Sequence, residues 1–234
     1  MQKKKSELNS IEKGDFLREF IFGLNDGLVS TLALLAGLSG AVVANWIIIV
    51  SGLAEILAGS ISMGLGAYIS RKSEIEYYKN KIEKERKAIG KIPNIEIKEI
   101  KEIYRKKGFN EKEVNFLVNK IIKNKIAWLD VLVHDKLGIV ENFDDPKKIG
   151  LTNGVAFVIG GLFPLLPFLF FESANPLFIG TIFALILIFA FGAIKSRITG
   201  KNWFTSGFEM AFICLLAAGL SYIAGRLIFF FIGG

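Results

Sequence analysis

Two acidic side chains stand inside long apolar runs of this chain, Asp26 within Gly23-Leu24-Asn25-Asp26-Gly27-Leu28-Val29-Ser30 and Glu55 within Gly52-Leu53-Ala54-Glu55. Placing a carboxylate at the centre of a membrane helix costs roughly 2.5–3.5 kcal/mol, so such a group faces a protein interior or a wet cavity, where a cation or a proton neutralises it. Gly23, Ser30 and Gly37 fall on or near the face of Asp26, and small residues there let a neighbouring backbone approach. Beyond Glu55 come Gly59, Ser62, Met63 and Gly66 at helical offsets, a stripe of small residues with one carboxylate and one thioether. Hard oxygen beside softer sulfur suits a borderline divalent ion such as Fe²⁺, whereas Mg²⁺ and Ca²⁺ take all-oxygen shells. Asp26, Glu55 and Met63 are therefore read as metal ligands along a pathway, with Asn25 and Ser62 beside them.

Other residues invite blander readings. Glu209 falls near the end of the last apolar run, as an interfacial residue would, and Arg226 is able to snorkel outward. Cys214, the single cysteine, excludes a disulfide framework and reads as a small packing residue. His134, the single histidine, reads as a surface or packing group.

The elements that must position these side chains are membrane helices. Half of the 234 residues are hydrophobic, and apolar runs cover 17–40, 45–70, 150–171, 176–195 and 208–232. Each reaches the roughly 20 residues needed to cross a hydrocarbon core of about 30 Å, where the backbone must satisfy its own hydrogen bonds. The first run is too long and too polar at Asn25-Asp26 for a signal peptide.

The formal charge of +7 follows topology rather than a nucleic-acid surface. Five Lys and Arg precede residue 20, twenty lie in 71–149, three in 195–201, and Arg226 is the last. The connections at 41–44 and 172–175 carry none. Basic flanks face the cytoplasm, so five spans put the N-terminus inside and the C-terminus outside, with some attraction to anionic headgroups.

The chain therefore divides into a polar lead (1–16), a hairpin of two spans (17–70), a hydrophilic cytosolic helical domain (71–149) and three further spans (150–234). The insertion between helices 2 and 3 reads as three helices. The first continues from span two to about Ile89, stopping before Gly90 and Pro93, and the second runs from about Ile95 to Lys106. The third opens on an Asn110/Glu113 capping box and continues to Gly138. Its stripe includes Val114, Leu117, Val118, Ile121 and Ile122. The fold class is an all-α membrane protein.

The Asn-Asp-Gly-Leu-Val-Ser stretch and the segment Gly59-Ser60-Ile61-Ser62-Met63, with Pro164 and Pro167 in span three, resemble the vacuolar iron transporter family over nearly the whole chain. The resemblance implies a homodimer that exports Fe²⁺ and related divalent ions from the cytosol in exchange for protons, with Asp26, Glu55 and Met63 lining the path near the dimer interface. It also implies metal binding by the cytosolic bundle, for which Glu85, Glu96 and Glu99 match the family's pattern. Ala88 and Lys136 stand where further glutamates are usual, Leu132 and Val133 replace a methionine pair, and Ala67 replaces an acid at the end of span two. The three remaining glutamates sit among Lys84, Arg86 and Lys98, as a solvated, salt-bridged face would.

The expectation is proton-coupled export of Fe²⁺, and of Mn²⁺, with no cofactor, no enzymatic activity and no nucleic-acid partner. The alternative is a membrane scaffold or regulatory protein that keeps the fold without transport. The Lys/Ile-rich composition and lack of a targeting extension fit a prokaryotic plasma membrane.

Overall fold

The computed structural model describes residues 2–139, 144–170, 176–200 and 202–232, and every described element is helical. In chain order they are α1 (Gln2–Gly40), α2 (Asn45–Lys91), α3 (Pro93–Lys106), α4 (Glu111–Ile121), α5 (Lys125–Val131), a π-helical turn (Leu132–Lys136), α6 (Pro146–Phe170), α7 (Pro176–Thr199) and α8 (Trp203–Ile232). Five of these helices, α1, α2, α6, α7 and α8, are long and apolar enough to cross a membrane. The protein is an all-helical integral membrane protein. Two compact units result: one takes residues up to Ile69 and from Asp144 onward, the other Ser70–Phe143.

In the first unit α1 and α6 are central. Within their most apolar stretches 44% and 50% of residues are buried, against 17–22% in α2, α7 and α8, whose large apolar side chains face outward as lipid-facing ones do. The closeness of α1 and α6 depends on glycine. A methyl group on Gly27 would sit 2.2 Å from the Phe157 carbonyl oxygen, and one on Gly160 would sit 2.1 Å from that of Leu24. Leu24, Leu28, Leu32 and Ala36 of α1 then pack with Ala156 of α6, Ala184 and Ile188 of α7, and Cys214 and Ala218 of α8. Cys214 is thus a packing residue. Pro164 and Pro167 sit inside α6, each without the amide N–H that would bond one turn back.

Helices α1 and α2 are joined by a short turn in which Val42 adopts φ 56°, a left-handed conformation that a β-branched residue tolerates poorly. The turn is held by Ala41 N–H donating to Gly37 O and Val43 N–H donating to Leu38 O. Helix α2 meets α6 through small residues as well: a methyl on Gly150 would lie 2.5 Å from the Gly64 carbonyl oxygen.

The second unit is the polar bundle. Ile89, Ile100, Val114, Val118, Trp128 and Leu132 form its core, of which Val114 and Val118 belong to the stripe that helical periodicity marks as apolar. The Asn110/Glu113 capping box forms as the sequence predicts. Two boundaries differ from expectation. Helix α2 runs through Gly90 to Lys91, and α3 starts at Pro93 rather than Ile95, because proline at the first helical position lacks only an N–H that would be unpaired anyway. The single helix expected from Asn110 to Gly138 is broken at 122–124. There the Asn124 side chain accepts from Ile126 N–H and Ala127 N–H and caps a new helix, α5, which ends in the π turn.

Candidate ion pathway

Asp26 is half-buried on α1, with Asn25 beside it. At 100° per residue, it points away from the arc of Leu24, Leu28, Thr31 and Leu35, which is fully packed. The packed arc itself turns Asp26 outward, and Gly23 and Gly27 touch α6 from the flank between Asp26 and that arc. One turn beyond Asp26, the Ser30 Oγ is buried without a hydrogen-bond partner.

Glu55 is half-buried on α2. The stripe read from the sequence divides around it. Gly59 turns inward onto the Phe157 ring, Met63 is half-buried, and Ser62 and Gly66 are exposed. Ala54 and Ala58 join these last two to give Ala54, Ala58, Ser62 and Gly66, an outward line of small side chains at four-residue spacing beside Glu55. Nothing approaches a methyl group added at Gly66. A groove of about 490 Å³ between α2 and α6 is lined by apolar groups around Ser60, Gly64, Tyr68, Gly150 and Gly154, and neither Asp26, Glu55 nor Met63 lines it.

Two polar residues escaped sequence reasoning. Asn153 on α6, 1% exposed, donates its side-chain N–H to a Glu19 carboxylate oxygen at 3.0 Å. Glu19 lies seven residues before Asp26, which puts both acids on one face of α1; that spacing was the available signal. Glu209 and Arg226 are exposed on α8. His134 Nδ1 lies 2.8 Å from the Ile139 carbonyl oxygen and its Nε2 lies 3.3 Å from Asp130, so it braces the π turn.

In the polar bundle, Glu85, Glu96 and Glu99 do converge, though around an ammonium. Lys136 Nζ lies 2.8, 3.2 and 2.5 Å from their carboxylate oxygens. Glu96 is only 3% exposed. Burial pushes its carboxyl above the ordinary range, Lys136 pulls it down by hydrogen bond and charge, and Glu85 and Glu99 push it up again. The folded bundle therefore takes up a proton at a pH where the unfolded chain has lost it. Stability from this group is fully present below the ordinary glutamate value and is lost as pH rises through the folded one. Glu96→Gln is expected to remove that part of the acid-side gain, read as unfolding midpoints at pH 4.5 and 7.5 from Trp128 fluorescence with Trp46 and Trp203 replaced by Phe.

Residues 17–226 match the family described as the VIT family. The chain belongs to the VIT family. This is a family of transporters rather than enzymes. A protein named vacuolar iron transporter 1 from Oryza sativa subsp. japonica is 38% identical over 213 residues, covering 89% of this chain and 84% of the relative. Its namesake from Arabidopsis thaliana is 36% identical over 219 residues, covering 92% and 87%. Protein CCC1 of Saccharomyces cerevisiae is 30% identical over 223 residues, covering 91% and 69%. The family match spans α1 to α8 and includes every pathway residue named above.

Proposed function

We propose that this VIT family member carries Fe²⁺, and Mn²⁺ with it, out of the cytosol in exchange for protons. The observation that carries the reading is a pair of carboxylates, Asp26 and Glu55, each half-buried within a membrane-spanning helix, in a chain whose relatives are named iron transporters. A carboxylate withdrawn from water favours a neutralising partner, and a divalent ion or a proton can serve. Exchange of one for the other is the proposed coupling. Met63 supplies a soft contact that favours a transition metal over Ca²⁺ or Mg²⁺. Asn25, Ser62 and the orphaned Ser30 hydroxyl add neutral oxygen donors.

The working unit in this reading is a homodimer. The line Ala54, Ala58, Ser62 and Gly66 is the kind of surface on which membrane helices approach closely, and it would bring Glu55 of two copies toward one path. Ala58→Trp with Gly66→Trp is expected to convert a dimer to a monomer in detergent, measured by light scattering coupled to size exclusion. A wild-type chain that runs as a monomer overturns the dimer.

The basic excess in 71–149 supports a polar domain and N-terminus on the cytosolic side with the C-terminus outside, and the Lys/Ile-rich composition supports the plasma membrane of a prokaryotic cell. The domain limits 1–16, 17–70, 71–149 and 150–234 belong to the same reading. Fe²⁺ or Mn²⁺ uptake into proteoliposomes across an imposed pH gradient tests it: metal entering with counterflow of protons is expected. The ammonium among Glu85, Glu96 and Glu99 favours a second reading, a scaffold that retains the fold without transport. Absence of metal-dependent proton movement in the same vesicles would select it.

A further inference from the structure

The three-glutamate cluster of the polar bundle already holds a cation, and that cation belongs to the chain. We propose that the Lys136 ammonium is the permanent occupant of the Glu85/Glu96/Glu99 site, so that this bundle closes without metal and turns divalent ions away. The inference concerns the polar bundle alone and does not rest on the transport reading.

The three carboxylates come from α2 and from two turns of α3, and one oxygen of each lies within 3.2 Å of a single nitrogen. Three carboxylates this close repel one another and cannot be brought together without a positive partner. Lys136 is aimed at them by the π turn, whose extra residue per turn shifts a side chain away from the direction an α-helix would give it. Leu132 and Val133 of the same turn are buried in the bundle and anchor it. The other polar side chains of the turn are engaged elsewhere, His134 with Asp130 and the Ile139 carbonyl, Asp135 with Lys107. Of the turn's residues, Lys136 alone reaches the cluster, and its side chain is 25% exposed.

The chemistry of replacement is unfavourable. Divalent Ca²⁺ or Mg²⁺ binds oxygen at about 2.0–2.6 Å, so a hard ion would draw the same oxygens inward while expelling the ammonium that lies among them. The competitor is tethered and pays no cost of association from solution.

The test uses the full-length chain in detergent with Asp26→Asn and Glu55→Gln, which silences the membrane acids, and Mn²⁺ as the probe. Binding is read from loss of the free-ion paramagnetic resonance signal, and folding from Trp128 fluorescence. With Lys136 present, no Glu96-dependent binding is expected. Lys136→Gln should lower the bundle's melting temperature, and Mn²⁺ should restore it. Lys136→Glu should bind Mn²⁺ at least about tenfold more tightly than the lysine form, with the gain lost on Glu96→Gln. Two results overturn the proposal: Mn²⁺ binding by the lysine form that Glu96→Gln abolishes, or folded Lys136→Gln and Lys136→Glu proteins that do not respond to Mn²⁺. If neither variant folds, the lysine form decides alone, upholding the proposal by showing no Glu96-dependent binding and overturning it by showing some.

Discussion

Asp26→Ala is expected to lower Fe²⁺ flux in proteoliposomes by at least about 100-fold while leaving the protein folded, because the proposed path would lose a ligand, and that loss exceeds the effect of losing a residue that only orients one. The two halves of this expectation have separate origins. Flux falls because the methyl group offers neither charge nor oxygen to a partly dehydrated ion. Folding survives because Asp26 lies opposite the packed arc of Leu24, Leu28, Thr31 and Leu35, and no large core contact is removed. Removing an intramembrane carboxylate also relieves an insertion cost of roughly 2.5–3.5 kcal/mol at a helix centre, so the variant should melt no lower than the wild type. Glu55→Ala is expected to behave alike. Wild-type flux through either variant takes that residue out of the path.

A valine at position 27 should do the reverse and destroy the fold along with transport. The added carbon would meet the Phe157 carbonyl oxygen at 2.2 Å, and that oxygen belongs to the backbone of α6 rather than to a movable side chain. Helix α1 must then withdraw from α6, opening the cluster built on Leu24, Leu28 and Ala156. Overpacking of this kind costs about 3 kcal/mol, a large share of the stability of a typical domain. Gly160→Val presses on the Leu24 carbonyl from the other side and should be equally damaging. Gly66→Val provides the contrast, since nothing lies near its added carbon, and the monomer should retain its melting temperature. Thermal unfolding of the three variants, followed by size exclusion, distinguishes them. Equal melting for Gly27→Val and Gly66→Val would remove glycine contact as the basis of the α1–α6 pairing.

Much of this protein was legible in one dimension. Length and apolarity of the five runs dictate membrane helices, because a backbone in lipid has no other partner than itself. The 3.6-residue period marked Val114 and Val118 as core, and a single Asn–Glu spacing located the start of α4. The break at Asn124 was harder to read, for its neighbours Ile121, Ile122 and Ile126 keep apolar residues coming through the gap, and only the competing side-chain cap ends the helix.

Tertiary structure decided what meets what. That Asp26 faces away from the core follows from the packing of Leu24, Leu28, Leu32 and Ala36 against α6, α7 and α8, a fact about several helices at once. The Glu19–Asn153 bond joins residues 134 positions apart, and Lys136 meets Glu96 and Glu85 from 40 and 51 positions away. Local periodicity fixes the face on which a residue stands, since every turn of a helix obeys the same geometry. Which distant face it meets depends on packing summed over the whole fold, and so the identity of the cation among the three glutamates emerged only in three dimensions.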